Sequence, residues 1–303
     1  TIHGQACRML PEQHPRRLRE RRESPGAGTH AINQATHANW QACRNATMVP
    51  SFNGLMAYHA VLEVNRRAIP GDIVEIGVWA GGLSCFMGKA QQASRRSDLP
   101  RRSWLFDTFE GMPQPTEKDD KRSHKLWTLV RNGSSRGVPG AVRDRKWSYW
   151  PLPEVEHTML AQAGVARQDV SFVKGRVEDL LRKGAPQVAL PDSISVLRLD
   201  TDWYESTRAE LESMWPRLAP GGWMYVDDYS AFRGARRAVD EWLRSRPGWL
   251  ADARRAKAFK VATANPRRPV DDRLGSFAVW KSRPYDEAHP FDLSNATLWS
   301  MYK

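Results

Sequence analysis

Five short apolar runs alternate with helix-patterned stretches between residues 72 and 243, and this alternation restricts the fold more than any other feature of the chain. The runs are 72–78 (DIVEIGV), 104–106, 170–173, 194–199 (ISVLRL) and 223–226 (WMYV). Their length and their β-branched and aromatic content favour strands. Between them, Leu83, Phe86, Met87 and Ala90 fall at i, i+3, i+4 and i+7. Thr207, Leu211, Met214, Trp215 and Leu218 form a second such stripe, stopped by Pro220-Gly221-Gly222. Ala235, Ala238, Val239, Trp242 and Leu243 form a third. Each is one apolar face of an amphipathic helix. The alternation predicts an α/β fold: a doubly wound, mostly parallel sheet with helices on both faces. Two further runs, 258–262 and 276–280, flank a loop and predict an antiparallel hairpin that finishes the sheet.

The rest of the chain divides around this pattern. Residues 1–34 are polar, rich in Arg, Pro and Gly, and lack periodicity, so a loosely packed arm is expected. Residues 51–69 read as a helix ended by Pro70-Gly71, and 155–163 as another. Residues 111–150 combine Pro, Gly, Ser and charge and are too long for an ordinary βα connection; they predict an insert or lid. The expected organisation is an arm and helical cap over 1–50, one domain over 51–285 and a tail over 286–303.

Composition excludes several classes. No apolar run approaches the ~18 residues that span a bilayer, so no membrane partner is expected. Residues 1–22 carry basic residues without a following apolar stretch and do not read as a secretory signal. Cys7, Cys43 and Cys85 are odd in number and widely spaced, which fits a reducing cytoplasm better than a disulfide framework. The net charge of +12 raises the question of a nucleic-acid partner. Much of the excess is scattered pairs such as Arg66-Arg67, Arg95-Arg96 and Arg236-Arg237, without interleaved aromatics that would stack bases. A solvated basic surface is the favoured reading, with no nucleic acid bound.

The acids are placed more tellingly. Glu75 lies in the first strand's exit, Asp107 ends the second, Asp200 the fourth, and Asp227 and Asp228 the fifth. In an open α/β sheet the carboxyl ends of the strands line one crevice, where ligands bind. Carboxylates crowded there repel one another and need a cation. Asp200 lies 27 and 28 residues before Asp227 and Asp228, at the ends of neighbouring strands, and oxygen-only ligands suit a hard ion such as Mg²⁺. A solvated Asp-Asp turn is the plainer alternative, but the apolar WMYV directly before it argues for burial. The first βα turn, Glu75-Ile76-Gly77-Val78-Trp79-Ala80-Gly81-Gly82, lacks the dinucleotide spacing G-x-G-x-x-G. Gly77 and Gly81 permit close backbone approach to a ligand. Asp107, 32 residues after Glu75, is either a ribose-binding acid or a helix cap.

The segments VEIGVWAGG (74–82), DTFEGMP (107–113), FVKGRVEDLL (172–181), LRLDTDWYEST (197–207) and LAPGGWMYVDDY (218–229) resemble the macrocin O-methyltransferase family, in the same order along residues 50–285. The pairing of LRLD-x-D-x-YEST with PGG-x4-DDY is the selective part. The resemblance implies a class I methyltransferase fold, Rossmann-like, with an antiparallel C-terminal strand. It implies an S-adenosylmethionine-dependent O-methyltransferase of sugar hydroxyls in bacterial natural products, hence a glycosylated small-molecule acceptor; a homo-oligomer is expected as well. It assigns Mg²⁺ to Asp200, Asp227 and Asp228, with Asp200 also the general base. It assigns S-adenosylmethionine to Glu75, Gly77, Gly81, Asp107 and the loop from Gly175 to Asp179. Two departures fall on the acceptor side: Thr201 replaces the family's Gly, and the insert is long and basic. His124 and His157 are candidate auxiliary bases, although a lone His in a charged loop is more often a surface residue. Trp127, Trp147 and Trp150 are candidates to cover an acceptor sugar. A metal-dependent catechol or phenol methyltransferase is the alternative enzyme. An RNA-binding methyltransferase is the rival of another class, disfavoured because no Asn-Pro-Pro-Tyr or Asp-Pro-Pro-Tyr motif occurs and the clustered acids would repel phosphates.

Overall fold

The computed structural model describes residues 27–182, 188–229, 231–245, 260–261 and 276–280. The expected arm over 1–26, the tail over 286–303 and the loop between the last two runs lie outside the described residues.

Five parallel strands form the sheet's body: β1 (Asp72–Ile76), β2 (Ser103–Asp107), β5 (Val170–Lys174), β6 (Ile194–Leu199) and β7 (Leu218–Val226). The C-terminal β9 (Ser276–Trp280) pairs antiparallel with β7, and β8 (Lys260–Val261) pairs antiparallel with β9. The strand order is β5-β2-β1-β6-β7-β9-β8, with β3 (Val142–Arg143) and β4 (Lys146–Trp147) a separate hairpin. The order reverses at β1 and β6, so the crevice of this doubly wound sheet lies at their carboxyl ends.

Alternation along each strand divides the core in two. Val196, Trp223 and Tyr225 face one layer with α2 (Ser51–Arg66) and α3 (Gly82–Ala93), where Tyr58, Phe86 and Met87 are buried. Leu197, Met224 and Val226 face the other, against Leu211 and Met214 of α7 (Tyr204–Met214) and Trp242 of α8 (Arg233–Arg244). The first layer extends further toward the N-terminus than the sequence suggests. Helix α1 (Ala27–Cys43) begins inside the stretch expected to be a loose arm, and its Trp40 and Cys43 are buried in that core. The two anchors stand one turn apart on a single face near the helix's end, which docks it without a long apolar stripe.

Three other local expectations are corrected. The first strand ends at Ile76 rather than at residue 78, because Gly77 turns to a left-handed φ of 84°. The fifth begins at Leu218, not at Trp223: Pro220-Gly221-Gly222 form an irregularity within the strand, whose register to β6 jumps from Leu218 to Trp223. The helix expected over 155–163 is α5 (Leu152–His157), which runs into a π-helical turn at Thr158–Gln162.

The insert carries structure of its own. Asp120 caps α4 (Lys121–Arg131) by accepting from the Ser123 amide at 2.9 Å, and the β3-β4 hairpin follows. Leu126, Val130 and Trp147 of the insert pack against Trp203, Phe232 and Ala235, closing a separate hydrophobic cluster over the sheet's carboxyl end.

Candidate active site

The carboxyl ends of β2, β1, β6 and β7 open onto one cleft. Ile76 pairs with Leu199 and Leu199 with Val226, so Gly77, Asp200 and Asp227 leave the sheet side by side. A Cβ on Gly77 would collide with the Asp200 carbonyl, which is why this strand exit tolerates no side chain. Gly81, at φ 82°, caps the start of α3 and faces Val155 and Thr158; it positions the helix but does not line the cleft. Trp79 lines the cleft at φ 48°, an uncommon region for a bulky residue. Its indole N–H has no partner among the described residues, and its ring meets Trp150 edge-on at 5.4 Å between centroids.

Asp107 reaches the cleft as expected, and it also ties the turn together. One carboxylate oxygen accepts from the amides of Val78 (2.7 Å) and Trp79 (3.1 Å), the other from Phe109 (2.7 Å). Burial pushes its pKa up while these amides pull it down. The capping and ligand-facing readings are therefore compatible, because a carboxylate offers about four acceptor sites. Gly175 lines the cleft through the loop after β5. Asp179 does not: its side chain is 59% exposed beside Arg176, and Glu178 takes the inward position.

Glu75 is also placed differently from the expectation that it faces a cofactor. It is 2% exposed, lies in register with Arg198 of β6 and does not line the cleft. The Ser84 hydroxyl and Arg198 Nη1 (2.8 Å) donate to it, and burial raises its pKa to about 7 against the pull of Arg198. Arg198 is the organising residue that sequence reasoning missed. Fully buried, its Nη2 sits 2.6 Å from Asp200 and 2.6 Å from Asp227, so one guanidinium serves three carboxylates. Asp227 is held further by the Tyr225 hydroxyl (2.9 Å) and Asn53 (3.3 Å). The signal was present in ISVLRL: an Arg in an apolar strand at a core-facing position demands buried acids.

Asp228 lies within hydrogen-bonding reach of Asp200 and of Asp202, a further acid to which no role had been assigned. Asp202 adopts φ 66° and donates its amide to Asp228 at 3.2 Å. Burial and the neighbouring charges push Asp200 up to about 6 and Asp202 up to about 8, and push Asp228 well above the usual carboxylate range. Carboxylates this close must share protons or a cation. The donor set, oxygen only and short of positive charge, suits a hard divalent ion. As the side chains stand, no three His, Cys, Asp or Glu among the described residues already surround a common point, because Arg198 draws Asp200 and Asp227 to itself.

The opposite wall is apolar and aromatic. Met48, Pro50, Met112, Pro139, Trp147 and Phe232 line it, backed by Trp203, whose indole donates to the Pro113 carbonyl at 3.0 Å. Of the three insert tryptophans named as candidates to cover an acceptor, Trp147 lines the cleft. Trp127 instead donates to Met112 at 3.4 Å, and Trp150 packs on Trp79. Neither His124, bonded to the Thr116 carbonyl, nor His157 lines the cleft.

A model of the macrocin O-methyltransferase family matches residues 33–248, well over half of the chain. The chain belongs to the macrocin O-methyltransferase family. Among curated members, the chain is 38% identical over 184 residues to a tetracenomycin-C 4'-O-methyltransferase of Streptomyces olivaceus, covering 61% of this chain and 62% of that protein. It is 32% identical to demethyldecarbamoylnovobiocin O-methyltransferase of Streptomyces niveus, covering 60% and 62%. It is 29% identical to mycinamicin III 3''-O-methyltransferase of Micromonospora griseorubida, covering 61% and 65%. The matches thus span slightly under two thirds of those relatives. The solved O-methyltransferase NovP aligns with a TM-score of 0.56 at 26% identity, over 78% of this chain and 83% of that one. The macrocin O-methyltransferase assignment brings the class I methyltransferase fold with it, as the strand order had indicated.

Proposed function

We propose that this protein transfers a methyl group from S-adenosylmethionine to a hydroxyl of a glycosylated natural product, with Mg²⁺ bound at the acidic strand ends. One observation carries the reading: the glycine turn after β1 and the acids after β6 and β7 share one cleft opposite an apolar wall. Relatives of the same family are named for methylating rhamnosyl-tetracenomycin, novobiocin and mycinamicin compounds.

In this reading Gly77, Trp79, Asp107 and Gly175, which line one cleft, would hold S-adenosylmethionine. Its sulfonium supplies a methyl that leaves without needing a proton. Asp200, Asp227 and Asp228, with Asp202 beside them, would hold Mg²⁺, which lowers the pKa of a bound hydroxyl. Asp200, a quarter exposed to the cleft, takes the hydroxyl proton. Arg198 holds Asp200 and Asp227 at their posts, and Trp147 and Phe232 cover the acceptor and exclude water. A cytoplasmic homo-oligomer completes the reading; light scattering tests the assembly. No helix among the described residues is long and apolar enough to cross a membrane.

The test is mass spectrometry of candidate acceptors incubated with the protein, S-adenosylmethionine and Mg²⁺. A gain of one methylene on a glycoside, absent with EDTA, is the expected result. Methylation of catechols but not glycosides would move the assignment to the phenol-type enzymes, and no product with either class would overturn it.

A further inference from the structure

A second cleft adjoins the first and is charged in the opposite sense. It is open to solvent and shares Pro139 and Phe232 with the reaction cleft. Lys121 and Arg122, from the first turn of α4, face Arg233 and Arg236, from the first turn of α8. The insert supplying α4 has nine Lys or Arg against four Asp or Glu over 111–150, an excess that the proposed methyl transfer does not use.

Three acids also line this cleft against the four cations. Asp119 is buried and accepts from the amides of Thr116 (2.8 Å) and Tyr204 (2.9 Å), Asp120 is half-buried and caps α4, and Glu117 is exposed. Arg236 leans on the Tyr229 ring and reaches Asp240 only at 3.9 Å. Among the described residues, the side chains of Lys121, Arg122 and Arg233 have no hydrogen-bond or ion-pair partner. A cleft rimmed by unpaired cations from two facing helix starts attracts anions, and helix α8 has no side chain capping its first amides.

The neighbouring charges also set a direction. The adjoining cleft offers an anion unpaired cations, whereas the reaction cleft is lined by Asp200, Asp202, Asp227 and Asp228, and the Arg198 guanidinium behind it is already paired. A molecule with a hydroxyl at one end and an anionic group at the other is thereby oriented, hydroxyl toward Asp200. We propose that the α4–α8 cleft is an acceptor subsite for an oxyanion, a phosphate or a carboxylate, carried by the molecule whose hydroxyl enters the reaction cleft. The identity of that molecule as a methyl acceptor rests on the function proposed above; the anion site stands on its own residues.

Calorimetric titration of the full chain with inorganic pyrophosphate, a sugar 1-phosphate and a uronic acid tests this, with S-adenosylmethionine affinity measured on each protein. Saturable binding of at least one anion is expected, weakening as salt screens the charges. In Lys121→Gln/Arg233→Gln it should fall at least ~10-fold while S-adenosylmethionine affinity stays unchanged. Binding of the phosphates alone or of the uronic acid alone identifies the oxyanion, and either supports the subsite. Arg95→Gln/Arg96→Gln, which removes the same charge at the far end of α3, should bind the anions like wild type. Equal weakening in that control, or no saturable binding of any of the three anions, would overturn the inference. Failure of wild type to bind S-adenosylmethionine would instead count against the methyl-transfer reading.

Discussion

At the scale of single residues, Arg198 and Asp200 divide the work of the acidic cluster. Arg198 is the buried cation that Glu75, Asp200 and Asp227 share, so removing it takes that common charge from all three carboxylates. Arg198→Met should destabilise the metal-free protein by ~3–5 kcal/mol, the usual cost of breaking a buried ion network from one side. The loss should shrink on acidification, as those carboxylates take up protons instead. Chemical denaturation at two pH values measures both; an unchanged midpoint would show that the acids are not held by Arg198. Asp200→Asn tests the proposed base. It keeps an oxygen ligand and the side-chain volume but removes basicity, so kcat should stay depressed by ~10²–10⁴ at saturating Mg²⁺. S-adenosylmethionine affinity should remain near wild type, because the glycine turn and Asp107 are untouched. Asp228→Asn serves as comparison and should recover most of its rate with excess Mg²⁺. Full recovery of Asp200→Asn would assign the proton to another acceptor.

At the scale of elements, the insert is the part whose character was hardest to read from sequence. Its length and charge announced an interruption, yet α4 and the β3-β4 hairpin form a packed body anchored by Trp147. Trp147 meets Trp203 and Phe232 at centroid distances of 5.7 and 6.2 Å, bridging the insert to the starts of α7 and α8. Trp147→Ala should cost ~3–5 kcal/mol locally. Hydrogen exchange should rise in α4 while β1 and β6 keep their protection, and the acceptor KM should increase. Uniform loss of protection across the sheet would mean that the insert and core are one cooperative unit. In wild type, 111–150 should gain protection when cofactor and acceptor are added together, as a cover closing on substrate requires.

At the scale of the whole molecule, the acidic cluster sets how stability responds to pH. Burial and mutual repulsion raise Asp200 to about 6, Glu75 to about 7, and Asp202 and Glu210 to about 8, above the values they take in the unfolded chain. The folded state therefore binds more protons than the unfolded state between about pH 4 and pH 8. This contribution is fully present below the unfolded values and is lost as pH rises through the folded ones. Metal-free protein should accordingly melt at a lower temperature at pH 8 than at pH 6. Mg²⁺, which competes with those protons, should stabilise more at pH 8 than at pH 6. Thermal scans with EDTA and with Mg²⁺ test both signs, and a melting temperature that rises from pH 6 to pH 8 with EDTA would contradict the burial of these carboxylates.

The sequence by itself determined the strand order's raw material, the two-sided core and the row of acids at the strand ends. Those follow from period-two and period-3.6 patterning and from crossovers that return the chain to the amino end of the parallel sheet after each strand. It also carried the family motifs, and so the candidate site. It could not show that Glu75 turns inward, that Asp179 turns outward, or that Arg198 stands among the carboxylates. Those placements depend on cross-strand register, in which Glu75 lies opposite Arg198 and Arg198 opposite Tyr225. Nor could it show that the first turns of α4 and α8, more than a hundred residues apart in the chain, face one another around a basic cleft. Charge and pattern are local properties of a sequence, whereas the sign of a cleft is the sum of side chains that only tertiary packing brings together.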